Sequence, residues 1–212
     1  MADQEDECEV HILAAGIGQQ PGDSSSDPNK ASIVTLIRVH GRKILLTGDA
    51  ETATEDFLLE RHADWIKDVD ILHVEHHGAG TTSHAGKDFV KKVNPRLAII
   101  SVGKLDNNPR WDLIEKYVDG TRLSRDVEPH LLEYGYGDAK RCTIDACEWS
   151  ENYKKRGIYT TQTSGDLLFS IARKGGVITR RWSQSRVDYG FTIDGAGTVA
   201  DIPGTLGRAT GV

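Results

Sequence analysis

Cysteine is scarce in this 212-residue chain: Cys8, Cys142 and Cys147 are odd in number and lack the tight spacing of a zinc knuckle or a redox pair. That excludes a disulfide framework and leads to the expectation of a reducing compartment, the cytoplasm. No apolar run approaches the ~20 residues of a membrane span, and the first residues, Met-Ala-Asp-Gln-Glu-Asp-Glu, are acidic where a secretory leader is basic. The expectation is a soluble protein, or a soluble domain of a larger one. Positive charge is also in deficit, with 26 Lys and Arg against 32 Asp and Glu. A net charge of −6 argues against duplex binding by the whole surface, since phosphate neutralisation needs clustered cations. There is no P-loop, no Gly-x-Ser-x-Gly elbow and no internal repeat.

What is present reads as one globular domain, residues 1–182, followed by a Gly-rich tail, 183–212. Glu9–Ala14 is a short strand, and Gly16–Lys30 a loop rich in Gly, Ser, Asp and Pro. Ser32–Val39 and Lys43–Thr47 are apolar strands three residues apart, which is hairpin spacing. Thr52-Ala-Thr-Glu55 has the pattern of a capping box opening a helix, with Phe57, Leu58, Leu59 and His62 on its face. Val69–Glu75 and Leu97–Val102 are buried strands, with helices predicted over Ala85–Val93 and Trp111–Val118. Arg141–Cys147 alternates, while Gly157–Thr161, Asp166–Arg173 and Val177–Trp182 read as a closing antiparallel set. Strands with interposed helices, then strands alone, predict an α/β (α+β) domain: a mixed sheet with helices against it.

The most informative stretch runs from Lys43 to Ser83. Lys-Ile-Leu-Leu-Thr-Gly-Asp-Ala-Glu (43–51) and Asp-Ile-Leu-His-Val-Glu-His-His-Gly-Ala (70–79) share a grammar. Each is an apolar run that stops at a carboxylate or imidazole beside a glycine. Strand ends open onto the ligand crevice of layered α/β domains, so Asp49 and either His76 or His77 are expected to converge there. A carboxylate with one or two imidazoles suits zinc, manganese or iron. Gly-Asp is equally a common turn dipeptide, and Asp49 alone would be read as starting the next helix.

Taken in order, these residues resemble a metallo-β-lactamase-fold hydrolase, most closely the C-terminal domain of competence proteins of the DNA-uptake channel (ComEC-like). The likeness lies in Asn29-x-x-Ser32, Leu45-Leu-Thr-Gly-Asp-Ala-Glu51, Glu55, Val74-x-His76-His77-Gly78, Ser83, Ala98-Ile-Ile-Ser101-Val-Gly103, Pro109 and Tyr159-x-Thr161-x-x-x-Gly165. The resemblance implies an αββα sandwich in which Asp49 bridges two ions, zinc or manganese, and His76, or the adjacent His77, binds the second. It implies hydrolysis of a phosphodiester, with the ions lowering the pKa of water and steadying the developing charge. Thr82 and Ser83 would meet substrate phosphate, and Asn29 and Ser32 would bind substrate or brace the site.

The leading motif of that family, His-x-His-x-Asp-His, is missing, so only the C-terminal half of its signature is here. The chain is therefore expected to bind metal weakly by itself. It is a fragment, a subunit completed by another chain or a second copy, or a degenerate non-catalytic binding module. Half a sandwich is also expected to leave one apolar sheet face open. For nucleic acid, Lys91-Lys92, Arg96, Lys140-Arg141, Lys154-Lys155-Arg156 and Arg180-Arg181, with Tyr153, Tyr159 and Trp182 among them, suggest a single-strand groove.

Overall fold

A computed structural model describes residues 8–17, 28–79, 86–103, 108–123, 135–136, 140–141, 157–173, 177–182, 190–193 and 199–202. Strand β1 (Cys8–Ala15) pairs antiparallel with β2 (Ile33–Val39), and β2 with β3 (Arg42–Leu46). The β2–β3 reversal is the hairpin its spacing predicts. His40 and Gly41 both take positive φ, 48° and 76°, which a two-residue hairpin turn demands.

Beyond β3 the strands run parallel, and parallel neighbours need crossovers. Helices α1 (Thr52–Arg61) and α2 (Ala63–Ile66) lead to β4 (Ile71–His73), and α3 (Lys87–Val93) leads to β5 (Leu97–Ile100). Helix α4 (Trp111–Gly120) and the short pair β6 (Gly135–Tyr136) and β7 (Lys140–Arg141) precede β8 (Ile158–Thr160). The six-stranded sheet has the order β1-β2-β3-β4-β5-β8. A single turn, α5 (Thr161–Ser164), then leads into β9 (Asp166–Ile171), β10 (Val177–Trp182), β11 (Gly190–Ile193) and β12 (Val199–Ile202). These last four strands form an antiparallel sheet, β12-β11-β10-β9. The fold is mixed α/β.

One face of the large sheet carries the helices. Val34, Leu36, Leu45, Leu72, Ala98 and Ile100 pack there against Leu58, Phe89, Val93, Ile114 and Tyr117 in one core cluster. Each fully buried aliphatic side chain contributes roughly 1.5–3 kcal/mol. On the other face Ile71, Leu97 and Tyr159 are covered by Leu167, Phe169 and Ile171 of β9. Register shows how far that second face extends, because cross-strand partners share a face. One row runs Val10–Ile37–Ile44–Ile71–Leu97, and the next Ile12–Thr35–Leu46–His73–Ile99–Tyr159. At the β1–β3 end the rows lie open: Val10 is 62% exposed, Ile12 60% and Leu46 39%, with Ile33 alongside at 56%. The β1–β3 part of this sheet face is thus apolar and open.

Several sequence expectations need correction. Glu51, not Thr52, is the N-cap of α1, and it caps without its side chain. Glu55 does not close a capping box. It is buried and accepts a hydrogen bond from Gly86 N at 2.9 Å, because the helix presents it to the start of α3 rather than to its own first turn. The strand read over Val69–Glu75 is only Ile71–His73, since Glu75–Gly78 turns as a 3-10 segment. The segment 157–161 is not antiparallel: β8 pairs parallel with β5, Ile99 opposite Tyr159. Ile158, Tyr159 and Thr160 are buried on both faces, which is how a parallel strand reads. Tyr159, at 2% exposure, is therefore a core residue and not a stacking platform for bases. The stretch read as a tail contributes β11 and β12 to the second sheet. Residues 142–147, with two of the cysteines, lie outside the described residues, as do Tyr153 and Lys154–Arg156. Among the described residues no helix is long and apolar enough to cross a membrane.

Candidate functional site

The C-terminal ends of β3, β4 and β5 bring three loops together. After β3, Thr47 is buried and its Oγ1 donates to the His73 carbonyl at 2.6 Å, tying the two strand ends to each other. Gly48 then takes φ +57°, a left-handed turn with the Ser32 side chain and Ile33 carbonyl packed close by. Asp49 follows, and its backbone N–H donates to Ser32 Oγ at 3.1 Å. The hydroxyl of Ser32 thus braces the loop that carries Asp49.

The second loop is unusual. His76 (φ 44°, ψ 47°) and His77 (φ 54°, ψ 22°) are consecutive left-handed residues, each costing on the order of 1–3 kcal/mol. The turn is held on every side. His76 N donates to Gly48 O at 3.0 Å, Ala79 N to His76 O at 2.8 Å and Arg110 N to Gly78 O at 2.9 Å. Gly78 lies so close to Pro109 that a Cβ there would stand 2.6 Å from the proline Cβ. From below, the buried Tyr117 hydroxyl reaches the buried Glu75 carboxyl at 3.0 and 3.2 Å. Burial first, and the nearby Glu55 second, raise the Glu75 carboxyl to about 7. Burial, then Glu75, push the Tyr117 hydroxyl well above its ordinary range.

This clamped turn aims His77, not His76, at Asp49. His77 Nε2 is 3.3 Å from Asp49 Oδ1, and Nδ1 is 2.7 Å from the Ser101 carbonyl. A carbonyl oxygen only accepts, so Nδ1 carries a proton. In the neutral ring Nε2 is then a lone pair facing a carboxylate oxygen. A proton or a metal ion between the two atoms resolves that conflict. A backbone carbonyl on one imidazole nitrogen, freeing the other, is how proteins orient metal-binding histidines. His76 turns elsewhere, with Nδ1 3.9 Å from Glu51 Oε1 and Nε2 3.4 Å from Asn29 Nδ2, while Asn29 also donates to Glu51 Oε1 at 3.3 Å.

His73, one of the scattered histidines that match no motif in the sequence, completes the surroundings. It stands in the open-face row beside Leu46, with Nε2 2.9 Å from Ser101 Oγ. Burial foremost, then the neighbouring His77, lower its pKa, with Asp49 pulling the other way. The spacing His73-x-x-x-His77 was the available signal. Thr82 and Ser83 lie outside the described residues.

The donor chemistry fits one edge of a cation site and does not close it. Among the described residues no group of three or more His, Cys, Asp or Glu is placed to hold an ion, and a closed zinc site wants four ligands. Of the basic pairs, Lys91 and Lys92 end α3, and Arg96 Nε lies 3.4 Å from Asp70 Oδ1, which also binds Arg42 Nη1 at 3.2 Å. These sit at the other end of the strands.

No family model matches the chain. It is similar to ComE operon protein 3 of Bacillus subtilis (strain 168). The two are 34% identical over 97 residues, 45% of this chain and 11% of that protein. Recombination protein 2 of Haemophilus influenzae (strain ATCC 51907 / DSM 11121 / KW20 / Rd) is 29% identical over 113 residues, 50% of this chain and 14% of the relative. The chain thus spans a small part of the length of each.

Proposed function

We propose that this chain is the Asp49- and His77-bearing part of a metallo-β-lactamase-like hydrolase domain that acts on nucleic-acid phosphodiesters during DNA uptake or recombination. The observation that carries the proposal is the pairing of Asp49 Oδ1 with His77 Nε2 while Nδ1 is spoken for by the Ser101 carbonyl. The order of the Thr-Gly-Asp and His-His-Gly segments and the names of the two relatives support the setting. Asp49 and His77 are the residues that would hold zinc or manganese. His76, with Glu51 and Asn29, would line the same rim, and Ser32 would keep Asp49 in place. The remaining donors would come from another chain, a second copy or further sequence such as the longer relatives contain. The open apolar face of β1–β3 is the surface such a layer would cover.

A second reading has its own support: two donors without a third among the described residues also describe a binding module that has lost its chemistry. Calorimetric titration with zinc and with manganese separates the readings from a self-sufficient enzyme. Binding weaker than micromolar by the isolated chain is expected, lost in Asp49→Ala. Sub-micromolar binding of two ions per chain would overturn the incomplete-site reading, and weak binding unchanged in Asp49→Ala would favour the relic.

A further inference from the structure

At the opposite end of β3 from Asp49 lies a cavity of about 210 Å³, lined by Leu36, Arg38, Lys43, Asp64 and Trp65. Asp49 lies six residue steps along the chain from Lys43, a span of up to ~20 Å at strand rise. The cavity is therefore separate from the rim described above. It is too small for a whole drug-sized ligand, which takes roughly 300 Å³ or more, but suits a single flat ring.

Its walls are specific. Trp65 in α2 is 39% exposed, and the Arg38 guanidinium stands over its ring 5.9 Å from the centroid. His11 meets the same indole edge-on, with centroids 4.7 Å apart. Glu9 organises this wall, its Oε2 lying 3.1 Å from His11 Nε2 and 3.4 Å from Arg38 Nη1. On the other side Lys43 Nζ donates to the Lys67 carbonyl at 2.8 Å and the Asp64 carbonyl at 3.4 Å. Burial first, then Arg38, hold the Lys43 ammonium below its ordinary range.

We infer that this cavity is a stacking site for one base of a single-stranded nucleic acid, the ring entering between Trp65 and Arg38 with flanking phosphates on Arg38 and Lys43. A base sandwiched between two flat groups needs about 7 Å, twice the ~3.4 Å stacking interval. The Arg38 side chain is half-exposed and needs to open by roughly 1 Å from 5.9 Å to admit it. Indole and guanidinium planes are the platforms on which single-strand binders hold bases. Glu9 offsets Arg38, and Asp68 and Asp70 offset Lys43, so the base, more than the phosphates, carries the affinity. Nothing here depends on a metal at Asp49, and the inference stands or falls apart from the hydrolase reading.

The test is fluorescence anisotropy of labelled oligo-dA, oligo-dC, oligo-dT and an abasic strand of equal length with the full 212-residue chain, in EDTA so that no metal site contributes. Oligo-dA, oligo-dC and oligo-dT should all bind more tightly than the abasic strand. Trp65→Ala should weaken oligo-dA by a factor of about 5 to 150, the range for losing one stacked base, with Trp65→Phe retaining most of the binding. Arg38→Met, on a half-exposed side chain that folding does not need, should lower affinity several-fold. An abasic strand that binds as well as oligo-dA, which requires no variant, would overturn the inference. So would Trp65→Ala or Arg38→Met at wild-type affinity.

Discussion

Glu75 offers a sharp quantitative prediction because it is a carboxyl at 1% exposure beside the His76–His77 turn, raised to about 7 from 4.5. Below pH 4.5 both the folded and unfolded chains carry the proton, and the residue has no pH-dependent effect. As pH climbs, the unfolded chain ionises freely while the buried carboxyl resists, so the folded state holds more protons and stability falls. Each unit of pKa difference is about 1.4 kcal/mol, and a rise from 4.5 to about 7 therefore removes roughly 3 kcal/mol, all of it lost between those two values. That is a large part of the ~5–15 kcal/mol that holds a typical domain together. Glu75→Gln keeps the shape and an oxygen to accept from Tyr117, and cannot ionise. Urea denaturation at pH 5, 6, 7 and 8 should show the two proteins alike at pH 5, with the variant roughly 2–3 kcal/mol more stable at pH 8. Stability curves that run parallel across that interval would refute the burial argument.

Other outcomes follow from the same contacts. Tyr117→Phe leaves the Glu75 carboxyl buried without its hydroxyl partner, and should lower stability by about 1–3 kcal/mol, largely rescued when combined with Glu75→Gln. Gly78→Ala would place a methyl group 2.6 Å from Pro109 at φ +72°, so a loss of about 2 kcal/mol or more in urea is expected. The open apolar face should drive concentration-dependent association in analytical ultracentrifugation, and Ile12→Asp with Val10→Asp should abolish it while leaving the circular dichroism unchanged.

How much of this was legible in the sequence depends on how far each feature is decided locally. Asp49 and the histidine pair stood out because apolar runs broke off abruptly at them, and strand ends in a parallel sheet meet at one rim. Which histidine faces Asp49 was not legible. Two successive left-handed residues swing His76 and His77 in directions that strand alternation does not predict, and what holds them there is Gly48, Arg110 and Tyr117 from elsewhere in the chain. Glu55 misled for a similar reason: Thr-x-x-Glu matches a local cap, but its carboxylate is taken by Gly86, 31 residues on. The direction of β8 was hidden because a short apolar run carries no mark of parallel or antiparallel pairing. The Trp65 cavity needed register and tertiary contact, which no window of sequence contains.

The central claim, that His77 offers Nε2 to an ion shared with Asp49, is tested most directly by long-range 15N–1H NMR of the imidazoles during a zinc titration. The account predicts a His77 ring protonated at Nδ1 throughout, with Nε2 shifting as zinc is added and no such shift in Asp49→Ala. A neutral His77 protonated at Nε2, or an Nε2 resonance indifferent to zinc, would contradict it.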